Sequence, residues 1–258
     1  MKERCTMEFI NDKDKLDQHF LIDSNVINKF IEVSSLSKED IVLEIGAGKG
    51  VLTKLIAPKV KKLYVIEKDI RLKPYLDGIP NCEVIYDNSL EVVFPKVDKI
   101  ITSLPYSIIE PFIYKIVKED IKEVYMIMGK SYCDNVISGK ITNLSLLTNS
   151  FFDSVNYLDI APSSFNPAPK TYSSLIKLIK KEEISNIDML FQNMYKLDDK
   201  KIKNSLMESL IKVFNLNKRS AREMINSLDI PLDILEIKFS DIDNKSLNIL
   251  YELISDVI

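Results

Sequence analysis

Three glycines at alternate positions, Gly46, Gly48 and Gly50, follow a short apolar run over residues 41–45. Glycines so placed let a backbone turn through positive φ and approach a bound molecule closely. An acid, Glu67, closes the next apolar run about twenty residues on, where it can accept two hydrogen bonds from ribose hydroxyls. Ser103-Leu104-Pro105-Tyr106 closes another such run. The serine oxygen and the carbonyl ahead of the proline can accept the hydrogens of an exocyclic amine, which aims the nitrogen lone pair and relieves the positive charge that develops during a group transfer. The proline stiffens the turn, and the tyrosine ring offers a face on which a base can stack. A further segment, Phe165-Asn166-Pro167-Ala168-Pro169-Lys170-Thr171-Tyr172-Ser173-Ser174, reads as a stiff extended loop. In it Phe165 can form a second wall for a base and Lys170 can meet a phosphate. The chain's one histidine, His19, sits in Asp17-Gln18-His19-Phe20-Leu21-Ile22-Asp23, so neither a zinc site nor a histidine-based triad is expected.

Each group has a plainer reading when taken alone: a tight turn for the glycines, core filler for Phe165, a surface or capping residue for His19. The glycine loop by itself also fits a dinucleotide site. Its spacing separates the two, because the dinucleotide pattern places its third glycine three residues after the second. Here the pattern is G-x-G-x-G with an acid, Glu44, two residues before the first glycine, the form found in methyltransferases.

The elements that must position these residues alternate. Strand patterns fall at 41–45, 62–67, 83–86, 99–102 and 123–128, with late strands at 154–160 and 173–179. Helix patterns fall at 25–33, 51–57, 111–117 and 144–152, and residues 1–17 read as a polar arm. This alternation predicts an α/β fold with a mostly parallel, Rossmann-like sheet covered on both faces. After Lys180-Lys181-Glu182-Glu183 only helix patterns occur, at 187–195, 201–214, 220–228 and 245–254, broken by Pro231. The expected division is an α/β domain over 1–182 and a small all-α domain over 183–258.

At 258 residues the chain can hold one large domain with a small one attached, and 46% hydrophobic with 28% charged residues is ordinary for a globular protein. No apolar run approaches a membrane span and the first residues lack the form of a leader, so a cytoplasmic protein without a membrane partner is expected. Cys5, Cys82 and Cys133 are odd in number and without metal-ligand spacing, and are read as reduced thiols. The net charge of −3 argues mildly against a nucleic-acid binder, although a local basic face can still meet phosphates.

Together the four segments resemble the ribosomal RNA adenine dimethylases, which include the small-subunit dimethylases and the macrolide-resistance methylases. The similarity runs from about Leu16 to Ile179, and the archaeal form of the small-subunit enzyme is similar. The resemblance implies a class I methyltransferase domain that uses S-adenosyl-L-methionine. It also implies N6-dimethylation of adenosines in a loop near the 3′ end of small-subunit rRNA during ribosome assembly, by a monomer acting on the immature small subunit. Carried over by position, His19 and Leu21 would line the cofactor site near its methionine end, Gly46 and Gly48 would lie against it, and Glu67 would hold the ribose. Asn88 would meet the cofactor's adenine amino group. Ser103, Leu104, Pro105, Tyr106 and Phe165 would surround the target adenine, with Ser103 also touching the cofactor.

The chain departs from the family at four places. Asp87-Asn88 stands for the usual Gly-Asp, and Ser103 for the Asn of N-L-P-Y. Met128-Gly129-Lys130-Ser131 stands for a segment with Gln-x-Glu, and Asp198-Asp199-Lys200-Lys201 for a basic run. An Asn amide lacks the charge of the acid it replaces. These changes keep a second reading open, a divergent, weakly active or inactive paralogue that binds RNA as an assembly factor. A small-molecule methyltransferase suits the acidic balance but not the S-L-P-Y and F-N-P-A-P-K pair.

Overall fold

The computed structural model describes residues 18–258; the polar arm and Cys5 fall outside the described residues. The strands are β1 (Phe20–Leu21), β2 (Ile41–Ile45), β3 (Lys62–Ile66), β4 (Cys82–Ile85), β5 (Lys99–Ser103), β6 (Glu123–Gly129), β7 (Phe152–Ile160), β8 (Phe165–Asn166) and β9 (Ser173–Lys180). Seven of them form one sheet in the order β4-β3-β2-β5-β6-β9-β7. The first five in that order run parallel, and β9 pairs antiparallel with both β6 and β7. The chain therefore reverses direction across the sheet between β2 and β5, a point where an open α/β sheet forms a crevice at its carboxyl edge.

The strands are apolar on both faces because both faces are covered. Along β2, Val42 packs into one core and Leu43 into the other; β5 divides Ile101 from Ile100, and β6 divides Tyr125 and Ile127 from Val124, Met126 and Met128. Helices α1 (Ser24–Val33), α2 (Thr53–Ile56) and α3 (Lys73–Leu76) pack in the core that holds Val42. Helices α4 (Ile109–Ile116), α5 (Lys130–Ser138) and α6 (Asn143–Phe151) pack in the other.

Beyond β9 the chain is helical: α7 (Asn186–Lys196), α8 (Ile202–Phe214), α9 (Lys218–Ser227), α10 (Leu232–Glu236) and α11 (Asn244–Ser255). Their apolar faces join the core of α4 and α6 without a break. The Tyr195 hydroxyl on α7 donates to the Asn143 carbonyl at 2.8 Å, and the Tyr195 ring meets Phe239 edge-on at 4.9 Å. Helix α5 was not anticipated from the sequence. Only Cys133 and Val136 of its nine residues are buried, so it carries almost no apolar period; Gly139, in the left-handed region at φ 71°, ends it. Among the described residues no helix is long and apolar enough to cross a membrane.

Candidate active site

Gly46, Glu67, Asp87 and Ser103 each lie at or just beyond the carboxyl end of a parallel strand, and all four line one cavity of about 610 Å³. Gly46 and Gly48 lie at φ 72° and 57°. A Cβ on Gly48 would come within 3.1 Å of the Phe20 ring, and one on Gly46 within 3.4 Å of Leu104. Gly48 is thus tight against Phe20, and the positive φ at both glycines strains any larger residue. Glu67 is buried, and its carboxylate accepts from the Gly48 amide and the Asp69 amide, each at 2.9 Å. Both oxygens are oriented by backbone yet keep lone pairs for further donors. A close-approach loop facing a fixed carboxylate suits a nucleoside with a free ribose diol, so the residues present fit an adenosyl cofactor.

Glu44 lies under this loop, 2% exposed, with Oε2 lacking a hydrogen-bond partner. Burial pushes its carboxyl up to about 8, against a smaller opposing effect of the neighbouring Thr53; the charge of Glu67 adds to the rise.

Ser103 ends β5, and its neighbour Thr102 donates from Oγ1 to the Ile45 carbonyl at 2.9 Å, which holds the end of β5 to the end of β2. Ser103 and Tyr106 are half-buried, Leu104 is buried, and with Pro105 all line the cavity. The Tyr106 hydroxyl meets Ser173 Oγ at 2.5 Å. Ser173 is fully buried at the start of β9. Its neighbour Ser174 donates to Asp159, which pairs with Lys130 at 2.7 Å. Lys130 thus stands where the family pattern has a different segment, tying α5 to β7 behind the tyrosine anchor.

Segments 18–23 and 162–167, far apart in the chain, are sewn together. β1 pairs with β8, the Ile22 amide donates to the Ser164 carbonyl at 2.9 Å, and Ser164 Oγ donates to Asp23 at 2.9 Å. Asp23 also caps α1, and these bonds, the serine's first, hold its carboxyl below the usual range. His19 Nδ1–H donates to the Pro167 carbonyl at 2.7 Å, and its ring lies 6.2 Å from that of Tyr106. The result brings His19, Phe20 and Phe165 into the cavity wall.

Of the residues expected at the site, Leu21 is the one that the cavity wall leaves out. Alternation along β1 sends Phe20 to the cavity and buries Leu21 in the core with Val26, Ile27 and Phe165. Asn88 does line the cavity, but its side chain is engaged locally: Oδ1 accepts from the Leu90 amide and Nδ2 donates to Glu91 at 2.5 Å. Lys68, Asp69, Ile70 and Arg71 also line it and were missed. The signal for them was Asp69-x-Arg71 directly behind Glu67; Arg71 clasps Asp69 through Nε and Nη2, both at 2.7 Å.

Lys59, Lys61, Lys62, Lys170, Lys177 and Lys200 do not form one continuous basic face. Lys62 pairs with Glu83, Lys177 with Glu123 and Lys200 with Glu208. Lys59 and Lys61 precede β3 at the edge opposite the cavity, while Lys170 is exposed in the 165–170 loop. Among the described residues no group of three metal-ligating side chains occurs.

The description "Ribosomal RNA adenine dimethylase" matches residues 10–229. A Methanococcus aeolicus protein named "Probable ribosomal RNA small subunit methyltransferase A" is 33% identical, covering 84% of this chain and 86% of its own length. A Methanococcus maripaludis protein of the same name is 32% identical, covering 94% and 98%. Among solved structures, a dimethyladenosine transferase from Plasmodium falciparum is similar, with a TM-score of 0.64 and 24% identity, covering 93% of this chain and 99% of that one. That last likeness concerns the fold.

Proposed function

The chain belongs to the ribosomal RNA adenine dimethylase family, and we propose that it dimethylates N6 of adenosines in a loop near the 3′ end of small-subunit rRNA, as a cytoplasmic monomer acting on the immature subunit. It is an S-adenosylmethionine-dependent rRNA adenine methyltransferase. One arrangement carries the reading: the glycine loop with its fixed carboxylate and the Ser103–Tyr106 turn with Phe165 open into a single cavity. S-adenosylmethionine supplies an electrophilic methyl group on its sulfonium. Gly46 and Gly48 give backbone approach to it, Glu67 receives the ribose hydroxyls, and the 87–90 wall faces its adenine. The Ser103 hydroxyl and the Leu104 carbonyl accept the target amine's hydrogens, so that its lone pair points into the cavity and the positive charge growing on nitrogen is met by oxygen. Tyr106 and Phe165 supply apolar faces for the base. Unpaired loop adenines suit such a site because they splay out at little cost. The helical segment 183–258 is proposed as a small domain buttressing α4 and α6, the layer behind the Ser103 turn.

A second reading, an RNA-binding assembly factor with little activity, draws support from the locally engaged Asn88. Lys200, Lys201 and Lys203 pair with Glu208 and Glu236 and offer little net charge to phosphates, which favours tight RNA binding under neither reading. The deciding experiment is methyl transfer from labelled S-adenosylmethionine to unmethylated small ribosomal subunits, with nucleoside mass spectrometry. N6-dimethyladenosine is expected. Subunit binding without transfer would leave the second reading.

A further inference from the structure

The connection from β4 to β5 carries Asp87, Asn88, Ser89 and Leu90 into the cavity wall. It holds no helix or strand over residues 86–98. Segments without ladder bonds keep their shape only if something else satisfies their carbonyls. Here a lysine from another element does so. Lys115, in the last turn of α4, donates from Nζ to the Ser89 carbonyl at 2.8 Å and to the Val92 carbonyl. The same ammonium sits 4.1 Å from the centroid of the Phe94 ring, itself buried. Among the described residues no carboxylate forms an ion pair with it. Burial lowers its pKa, opposed by the charge of Glu119. A half-buried ammonium spent on two loop carbonyls and a ring face joins the loop to the helix at three points. Helix α4 begins just after the Ser103–Tyr106 turn. Lys115 therefore bolts the wall on one side of the cavity to the helix that follows the Ser103–Tyr106 turn on the other.

We propose that Lys115 is a positioning residue for the cofactor: it holds the 88–92 loop in the shape that receives the adenine end, and so sets cofactor affinity without touching cofactor or substrate. The inference rests on reading the cavity as the S-adenosylmethionine site. If the loop without its clamp spends only a tenth of its time in the competent shape, apparent affinity falls by that factor.

The test is calorimetric titration with S-adenosylhomocysteine, alongside kinetics. Lys115→Met should bind about tenfold more weakly and raise KM for S-adenosylmethionine to match, with kcat at saturation changed less than about twofold, and Lys115→Arg should recover most of the affinity. Phe94→Leu, which keeps an apolar filler and removes the ring face, should lose about twofold to threefold and carries the test should Lys115→Met not fold. Wild-type protein that fails to bind S-adenosylhomocysteine overturns the cofactor reading and this inference with it. Wild-type binding matched by unchanged affinity in the folded variants overturns the role of Lys115 alone.

Discussion

In the proposed mechanism the chemistry turns on Ser103, whose hydroxyl is shorter than the amide of the N-L-P-Y pattern and must still reach the target amine. Replacing it with alanine removes one of the two proposed acceptors of the target amine, so kcat should fall by about 10²-fold, as read by single-turnover rates at saturating cofactor. Ser103→Asn should raise kcat above wild type; a drop would mean that the cavity has been rebuilt around serine. Tyr106 poses a different question, since its hydroxyl points away from stacking duty into Ser173. If that bond sets the ring's angle, Tyr106→Phe and Ser173→Ala should each lower kcat by about threefold to tenfold, and the double variant should be no worse than either single one, the mark of two residues acting through one contact. Additive losses would separate them. Which residues meet in the cavity was largely legible from residue type and spacing, because glycine, a strand-end acid and a proline turn each leave a local mark. What the sequence hid was which oxygens remain available. Asn88 reads as a ligand by position, yet its amide is already bonded to Leu90 and Glu91.

At the scale of elements, strand β2 places Glu44 where it can neither reach water nor form a full set of hydrogen bonds. Its carboxyl is held up to about 8 from an ordinary 4.5, chiefly by burial. Below the ordinary value both folded and unfolded chains carry the proton. Between there and about 8 the folded chain keeps a proton that the unfolded chain has released, so this group makes stability fall as pH rises through that window, with a slope of at most about 1.4 kcal/mol per unit. Glu44→Gln should flatten that part of the profile in denaturant titrations at a series of pH values; an unaltered slope would show that Glu44 is ionised in the fold. The parallel strands were readable to within a residue at either end, since strands buried on both faces are continuous apolar runs bounded by polar turns, whereas antiparallel β7 begins two residues before the expected 154. The pairing of β1 with β8 was not readable: two residues meet two others about 145 positions away, and no periodicity announces so short a ladder. Yet this ladder puts Phe20 in the cavity wall and Leu21 in the core behind it, a division that position alone does not show.

Across the whole molecule, the sequence marks a change of character near residue 183, where strands give way to helices, and the core ignores it. The Tyr195 ring on α7 packs against Tyr114 of α4 at 6.4 Å, and its hydroxyl reaches Asn143 at the start of α6. Gln192 donates to the Ser150 carbonyl at 2.6 Å, Asn248 to the Ile141 carbonyl at 2.9 Å, and Lys181 pairs with Asp188 while both are mostly buried. Composition along the chain reports which elements form, whereas cooperativity depends on which apolar faces they share, and that is fixed only once the helices dock. A seam made of one continuous apolar core and several part-buried polar bonds should not open by itself, because opening it would expose the shared apolar faces and aromatic rings and lose those bonds. Thermal unfolding is therefore expected as one transition with equal calorimetric and van't Hoff enthalpies. Tyr195→Phe, which leaves the ring and removes the hydroxyl, should lower the midpoint by the equivalent of about 1–2 kcal/mol without splitting the transition. Two resolved transitions in the wild-type chain would mean that the helical segment folds independently and that the support it lends to α4 and α6, and through them to the Ser103 turn, can be switched off while the α/β sheet stands.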